Sequence, residues 1–180
     1  MATVTLRGQM TNTCGNLPVI GTTAPEFTLL DQSLQGRSLA DFSSQAKLIY
    51  TVPSLDTQVC AKSTRKLVEQ LTSMTDPAAD STPVILLISA DLPFAQQRFN
   101  KQYKLDKAVF LSLHRDSAFG RNYGLLINDG PLEGLLARAL LVLDRNNIVC
   151  HTELVAEIGD EPDFSAALQV LTQLTQTTIA

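Results

Sequence analysis

No stretch of this 180-residue chain approaches the roughly 20 consecutive apolar residues needed to cross a bilayer. The opening MATVTLRGQM has neither the basic start nor the apolar centre of a secretory signal. A cytoplasmic protein with no membrane association is expected. Cysteine is scarce: three residues, at positions 14, 60 and 150, with no CxxC among them. An odd, scattered set does not make a disulfide framework, and a reducing compartment would keep all three as thiols. The only two histidines, His114 and His151, come without HExxH, which leaves no convincing zinc site. GxGxxG, GxxxxGK(S/T) and GxSxG are absent too, so nothing local supports nucleotide-phosphate binding or serine-hydrolase chemistry. Basic charge is in deficit, with a net charge of −4, and this argues against nucleic acid or an anionic membrane as partner.

What the chain does have is 44% hydrophobic residues at a length suited to one buried core, so a single domain over residues 1–180 is expected. Residues 3–19 alternate weakly around Gly8, Gly15 and Pro18 and predict an N-terminal β-hairpin. FTLLDQSLQGRSL (27–39) predicts a second hairpin or loop, with Gly36 between its strands. LIYTV (48–52), VILLIS (84–89) and AVFLSL (108–113) are continuous apolar runs of the kind buried on both faces of a sheet. After the first comes a helical stripe of Cys60, Thr64, Leu67, Leu71 and Met74, stopped at Asp76-Pro77 before the polar loop AADST. After the second, Asp91 is expected to cap a helix opened by Pro93 and lined by Phe94, Phe99 and Tyr103. SAFGRNYG reads as a short helix closed by Gly124, and ARALLVLD turns at Asp144–Asn147 into IVCHTELV. Pro162 opens a last helix with Phe164, Leu168, Leu171 and Leu174 on one face. The order predicts an α/β sandwich with a central mixed sheet.

The chemistry concentrates in PSLDTQVC (53–60), where the first strand hands over to the first helix. A helix starting near Thr57 puts Cys60 in its first turn, where unpaired N–H groups and the positive end of the macrodipole favour a thiolate. Thr57 and Cys60, three residues apart, share a helix face, so the hydroxyl could hold a polar substrate against the sulfur. Pro53 has no N–H and would limit water. The plain alternative is a small buried cysteine on a leucine stripe, with Thr57 only a cap and Pro53 only a strand end.

PSLDTQVC carries P-x-x-x-(S/T)-x-x-C and resembles the signature of the peroxiredoxins, in its thiol peroxidase branch in particular. SADLPFAQQRF (89–99) and NDGPLEGLLARALLVLD (128–144) resemble further segments of that branch, in the same order, and the likeness runs from about residue 3 to 175. The resemblance implies a thioredoxin-like sandwich and reduction of hydroperoxides without metal or organic cofactor. It further implies recycling by thioredoxin or another thiol reductant, and a homodimer. It makes Cys60 the peroxidatic sulfur, oxidised to a sulfenic acid. Thr57 becomes its hydrogen-bonding partner, Arg138 the stabiliser of the thiolate and of the breaking O–O bond, and Pro53 the shield. From the residues alone Arg138 reads only as an exposed charge at a strand edge.

One departure stands out. Family members place a resolving cysteine directly after the segment resembling SADLPFAQQRF, and this chain has Asn100. Cys14, in polar and turn-like TNTCGN, is expected to be exposed and mobile, and is the better substitute. Cys150, on a face with Ile148 and Leu154, reads as core. Three recycling routes stay open: direct reduction of Cys60 by an external thiol, which leads, or a disulfide with Cys14 or with Cys150. Leu125, Leu126, Ile127, Leu135 and Leu136 hint at organic peroxides, although core or dimer contact is the plainer role. The competing function is a redox sensor in which Cys60 is oxidised once and passes the change to a partner by thiol exchange.

Overall fold

The computed structural model describes residues 1–74 and 82–176, so the stop at Asp76-Pro77 and all of AADST but Thr82 lie outside the described residues. The N-terminal hairpin is shorter than expected: β1 (Thr3–Leu6) pairs antiparallel with β2 (Gln9–Asn12). Arg7 at φ 52° and Gly8 at φ 76° make its turn, the backbone that matches a two-residue loop to the twist of the strands. In the second hairpin, β3 (Thr28–Leu30) with β4 (Gly36–Ser38), Gly36 begins a strand rather than separating two. Asp31 builds that turn instead, its carboxylate accepting from the N–H of Ser33 at 2.8 Å and of Gln35 at 3.0 Å.

β5 (Lys47–Thr51), β6 (Val84–Ser89) and β7 (Ala108–Ser112) are the three apolar runs, parallel to one another in a seven-stranded sheet of order β4-β3-β7-β6-β5-β8-β9. β8 (Ala139–Leu143) lies antiparallel to β5, and β9 (Val149–Leu154) antiparallel to β8. Alternation along these strands feeds two cores. Leu48, Tyr50, Ile85, Leu87, Leu140 and Val142 face one, while Ile49, Leu86, Ile88 and Leu141 face the other.

α1 (Gln58–Met74) joins β5 to β6, and α2 (Pro93–Tyr103) joins β6 to β7. Both crossovers step the same way across the sheet, and right-handed connection then puts both helices on one face. That face is the Leu48 side, shared with α4 (Phe164–Gln176), whereas the short α3 (Ala118–Asn122) covers the other. Cys60, Leu67, Val68 and Leu71 of α1 pack there, each large apolar side chain worth about 1.5–3 kcal/mol of burial. Two expected core residues are not core. Met74 lies exposed in an open groove between the ends of α1 and α4. Phe94 is 63% exposed, since Gln96, Phe99 and Tyr103 define the inner stripe of α2 and position 94 points away from it.

Among the described residues no helix is long and apolar enough to cross a membrane.

Candidate active site

β5 ends at Thr51, and the chain leaves the sheet through buried Val52 and Pro53 before α1 begins. Thr57 is the helix cap: its Oγ1 accepts from the Cys60 N–H at 3.3 Å, and the first full helical bond runs from Ala61 N–H to Thr57 O at 2.9 Å. Cys60 is therefore in the first turn, as the sequence predicts, and Thr57 does serve as a cap. The Thr57 hydroxyl itself donates to Ser54 O at 3.2 Å.

The loop between Pro53 and Thr57 is held by a residue whose role the sequence hid. Asp91 does not cap α2, whose cap position is Leu92 with no side-chain bond. Its carboxylate turns instead to the active loop, accepting from Ser54 Oγ and Leu55 N–H at 2.7 Å each and from Ser89 Oγ at 2.8 Å. Tertiary partners outcompeted the local cap because two of those donors sit on a segment that would otherwise leave them unpaired.

Arg138 is the largest surprise relative to its local sequence. Immediately before β8, it is 1% exposed, and its Nη2 donates to Cys60 Sγ at 3.1 Å across 78 residues of chain. Nε donates to Ile158 O at 3.0 Å and Nη1 to Tyr50 Oη at 2.6 Å. Burial works against this charge, but Tyr50 and Cys60 outweigh it and hold the guanidinium above its ordinary pKa. Burial likewise pushes the Tyr50 phenol up, so Tyr50 stays a neutral hydrogen-bonding group. Cys60 itself is 1% exposed, at the foot of α1, with Tyr50, Val52 and Leu55 in its cluster. The arrangement offers a sulfur at a helix N-terminus, one fixed cation pointed at it, and a hydroxyl at the rim.

The other sulfurs are elsewhere. Cys14 is neither fully exposed nor loosely held: its N–H donates to Leu126 O at 2.8 Å and its Sγ to Gly120 O at 3.4 Å. Those partners adjoin Phe119, Leu125 and Ile127, which belong to the core on the face opposite Cys60. Cys150 falls at a register shift between β8 and β9, where Val142 pairs with His151 and Leu143 with Val149. The bulge breaks the expected alternation, so Leu154 faces the same core as Val149, while Cys150 is half-buried and hydrogen-bonds Ile148 O at 3.4 Å. Leu125, Ile127 and Leu136 also join the opposite core, so they line no peroxide pocket. Asn100, late in α2, donates to Gln32 Oε1 at 3.3 Å.

Known proteins resemble this chain in sequence and in fold. The family model described as Redoxin matches residues 20–171. A thiol peroxidase of Mycobacterium tuberculosis is 44% identical over 95% of this chain and 99% of its own length. One from Staphylococcus saprophyticus is 43% identical over 94% and 97%. Among solved structures, a peroxiredoxin-like protein from Aquifex aeolicus superposes with TM-score 0.87 at 32% identity, covering 97% of this chain and 98% of that one. A thiol peroxidase from Chromobacterium violaceum gives 0.84 at 26%, covering 98% of each. The sheet and its helices are thus the thioredoxin-like sandwich that the sequence predicts.

Proposed function

This chain belongs to the Redoxin family, in the thiol peroxidase branch of the peroxiredoxins, and on that premise we propose that Cys60 is the sulfur that attacks the peroxide. The protein is a thiol-dependent peroxidase. The observation that carries the assignment is a buried arginine with no carboxylate partner among the described residues, donating at 3.1 Å to one cysteine of three.

The reaction follows from the geometry. The Cys60 thiolate attacks the terminal oxygen of a hydroperoxide; an S–O bond forms as the O–O bond breaks, and the leaving alkoxide or hydroxide takes a proton to become alcohol or water. Negative charge moves from sulfur to leaving oxygen, within reach of the Arg138 guanidinium, a fixed donor in a site with little water. Thr57 can rotate its hydroxyl hydrogen from Ser54 O to the incoming peroxide while still accepting from the Cys60 N–H. Pro53, buried beside the turn, keeps the approach dry.

Regeneration needs two electrons. The sulfenic acid at Cys60 condenses with an external thiol, releasing water and leaving a mixed disulfide, which a second thiol reduces. A thioredoxin-type dithiol supplies both. Direct reduction is favoured because Asn100 cannot resolve, Cys14 adjoins the opposite face of the sheet, and Cys150 is tied into a bulge. The same reading takes the chain to act as one domain, in a cytoplasmic homodimer, which sedimentation of the purified protein tests.

Peroxide consumption by wild type, Cys60→Ser, Cys14→Ser and Cys150→Ser, with thioredoxin, glutathione or dithiothreitol, decides the matter. Only Cys60→Ser is expected to fall to background, with dimedone trapping Cys60 in the others. Retained turnover in Cys60→Ser overturns the assignment, and a single stoichiometric oxidation of wild type with every donor favours the sensor.

A further inference from the structure

Arg138 could satisfy itself in many orientations, yet only one puts Nη2 on the sulfur. Two of its three nitrogens are anchored elsewhere: Nε by Ile158 O at 3.0 Å and Nη1 by Tyr50 Oη at 2.6 Å. A guanidinium is planar, so fixing those two nitrogens fixes the third. Tyr50 lies in β5, fully buried, its ring edge-on to Phe164 at 5.7 Å between centroids. Its oxygen is 2.9 Å from Ser63 Oγ, and Arg138 Nη1 also reaches Ser63 at 3.3 Å.

Donor accounting sets the direction. Ser63 has one hydrogen, and Val59 O at 2.7 Å takes it, with Cys60 O at 3.2 Å the lesser acceptor. Tyr50 must then donate to Ser63, and its lone pair is what Arg138 meets. The relay runs from the guanidinium through the phenol and the serine hydroxyl to carbonyls of the helical turn that carries the reactive sulfur. Neither hydroxyl has solvent to turn to, since both residues are fully buried.

We propose that Tyr50 and Ser63 are positioning residues for Arg138, tying its Nη1 edge to the first turn of α1 so that Nη2 stays aimed at Cys60 while charge passes from sulfur to leaving oxygen. The proposal rests on Cys60 being the peroxidatic sulfur. Coulomb attraction between guanidinium and sulfur falls slowly with distance, whereas a hydrogen bond to a developing oxyanion is lost with small changes of angle. Misaiming the arginine should therefore slow peroxide reduction far more than a reaction that only needs a nucleophilic sulfur.

The test compares second-order rates of Cys60 with hydrogen peroxide and with iodoacetamide, by stopped flow, in wild type, Tyr50→Phe, Ser63→Ala and the double variant. Tyr50→Phe, which keeps the ring, is expected to slow the peroxide reaction about tenfold and alkylation less than about twofold. Ser63→Ala should show the same imbalance at roughly threefold, and the double variant should be no slower than Tyr50→Phe, as members of one relay are not additive. Thermal melting confirms folding, and Ser63→Ala carries the test if Tyr50→Phe does not fold. Peroxide and alkylation rates that fall in the same proportion, or peroxide rates within about twofold of wild type in both single variants, overturn the relay. Failure of the Cys60 assignment is a different result: peroxide oxidation that persists in Cys60→Ser.

Discussion

By resemblance to the family pattern position 60 is the one expected to be oxidised and position 100 the one expected to resolve, and the surroundings of Cys60 and Asn100 could hardly differ more. Cys60 sits in the first turn of its helix, sealed from solvent and met by a buried cation whose Nε and Nη1 are engaged elsewhere. Asn100 sits in the last turn of its helix, half-buried, with one 3.3 Å bond to Gln32 and a side-chain oxygen that has no hydrogen-bond partner among the described residues. On the proposed reading the first oxidation lies in the core, where Arg138, Tyr50 and Ser63 bond to one another. On the same reading regeneration does not depend on the half-buried position 100, where a side chain can change without disturbing the fold.

Arg138→Lys tests the contrast most severely. Lysine keeps the charge but cannot span Ile158 O, Tyr50 and the sulfur together, so peroxide reduction should drop about 10²–10³-fold, measured by stopped flow. A loss below about threefold would mean that charge alone, without aim, distinguishes the two regions. Asp91→Asn acts one step further out. Its carboxylate meets three donors around the active loop, so the variant should lose about 1–3 kcal/mol of stability by denaturant titration. Peroxide reduction should fall roughly tenfold as the turn carrying Thr57 loosens.

Asn100→Cys attacks the comparison from the other side by returning a thiol to the region that lacks one. Peroxide treatment should then yield an intramolecular disulfide to Cys60 in place of a dimedone-trappable sulfenic acid, read by non-reducing mass mapping. Stability should change by less than about 1 kcal/mol, because a single long hydrogen bond is all that is lost.

The smallest effect lies at the N-terminal hairpin. Glu157 accepts from the N–H groups of Gly8 and Arg7 and from Thr5 Oγ1, which draw its pKa from an ordinary 4.5 to about 2. A pKa depressed on folding contributes stability above the unfolded value and loses it as pH falls through the folded one. The protection factors of the Arg7 and Gly8 amides, meaning exchange rates corrected for their intrinsic pH dependence, should therefore be level from pH 7 to about 5 and fall progressively toward pH 2, read by NMR.

Which parts of this were legible in the chain follows the range of the interactions. Thr57 and Cys60 are three residues apart, and a helix start makes them neighbours with no help from the rest of the fold. The three apolar runs announce parallel central strands for the same reason: burial on both faces leaves no alternation to read. Arg138 came into view only through family resemblance, since LLARALL gives no hint that its charge meets a sulfur 78 residues earlier. Tyr50 and Ser63 give no signal in the chain, because each also fits its strand or helix as ordinary interior. The position of Asp91 before Pro93 suggests a local cap, while distant donors claim its carboxylate. Cys150 was misplaced by a bulge, which no periodicity of two can register.

The sequence by itself determined the order of strands and helices, the two-faced central runs and the placement of a cysteine at a helix mouth, because periodicity and capping act within a few residues. Only the tertiary structure decided that the mouth is occupied by a guanidinium, that hydroxyls from β5 and α1 hold it there, and that Asp91 braces the loop. The reason is that a buried charge must find donors and acceptors wherever the closed sheet brings them, and chain distance carries no record of that meeting.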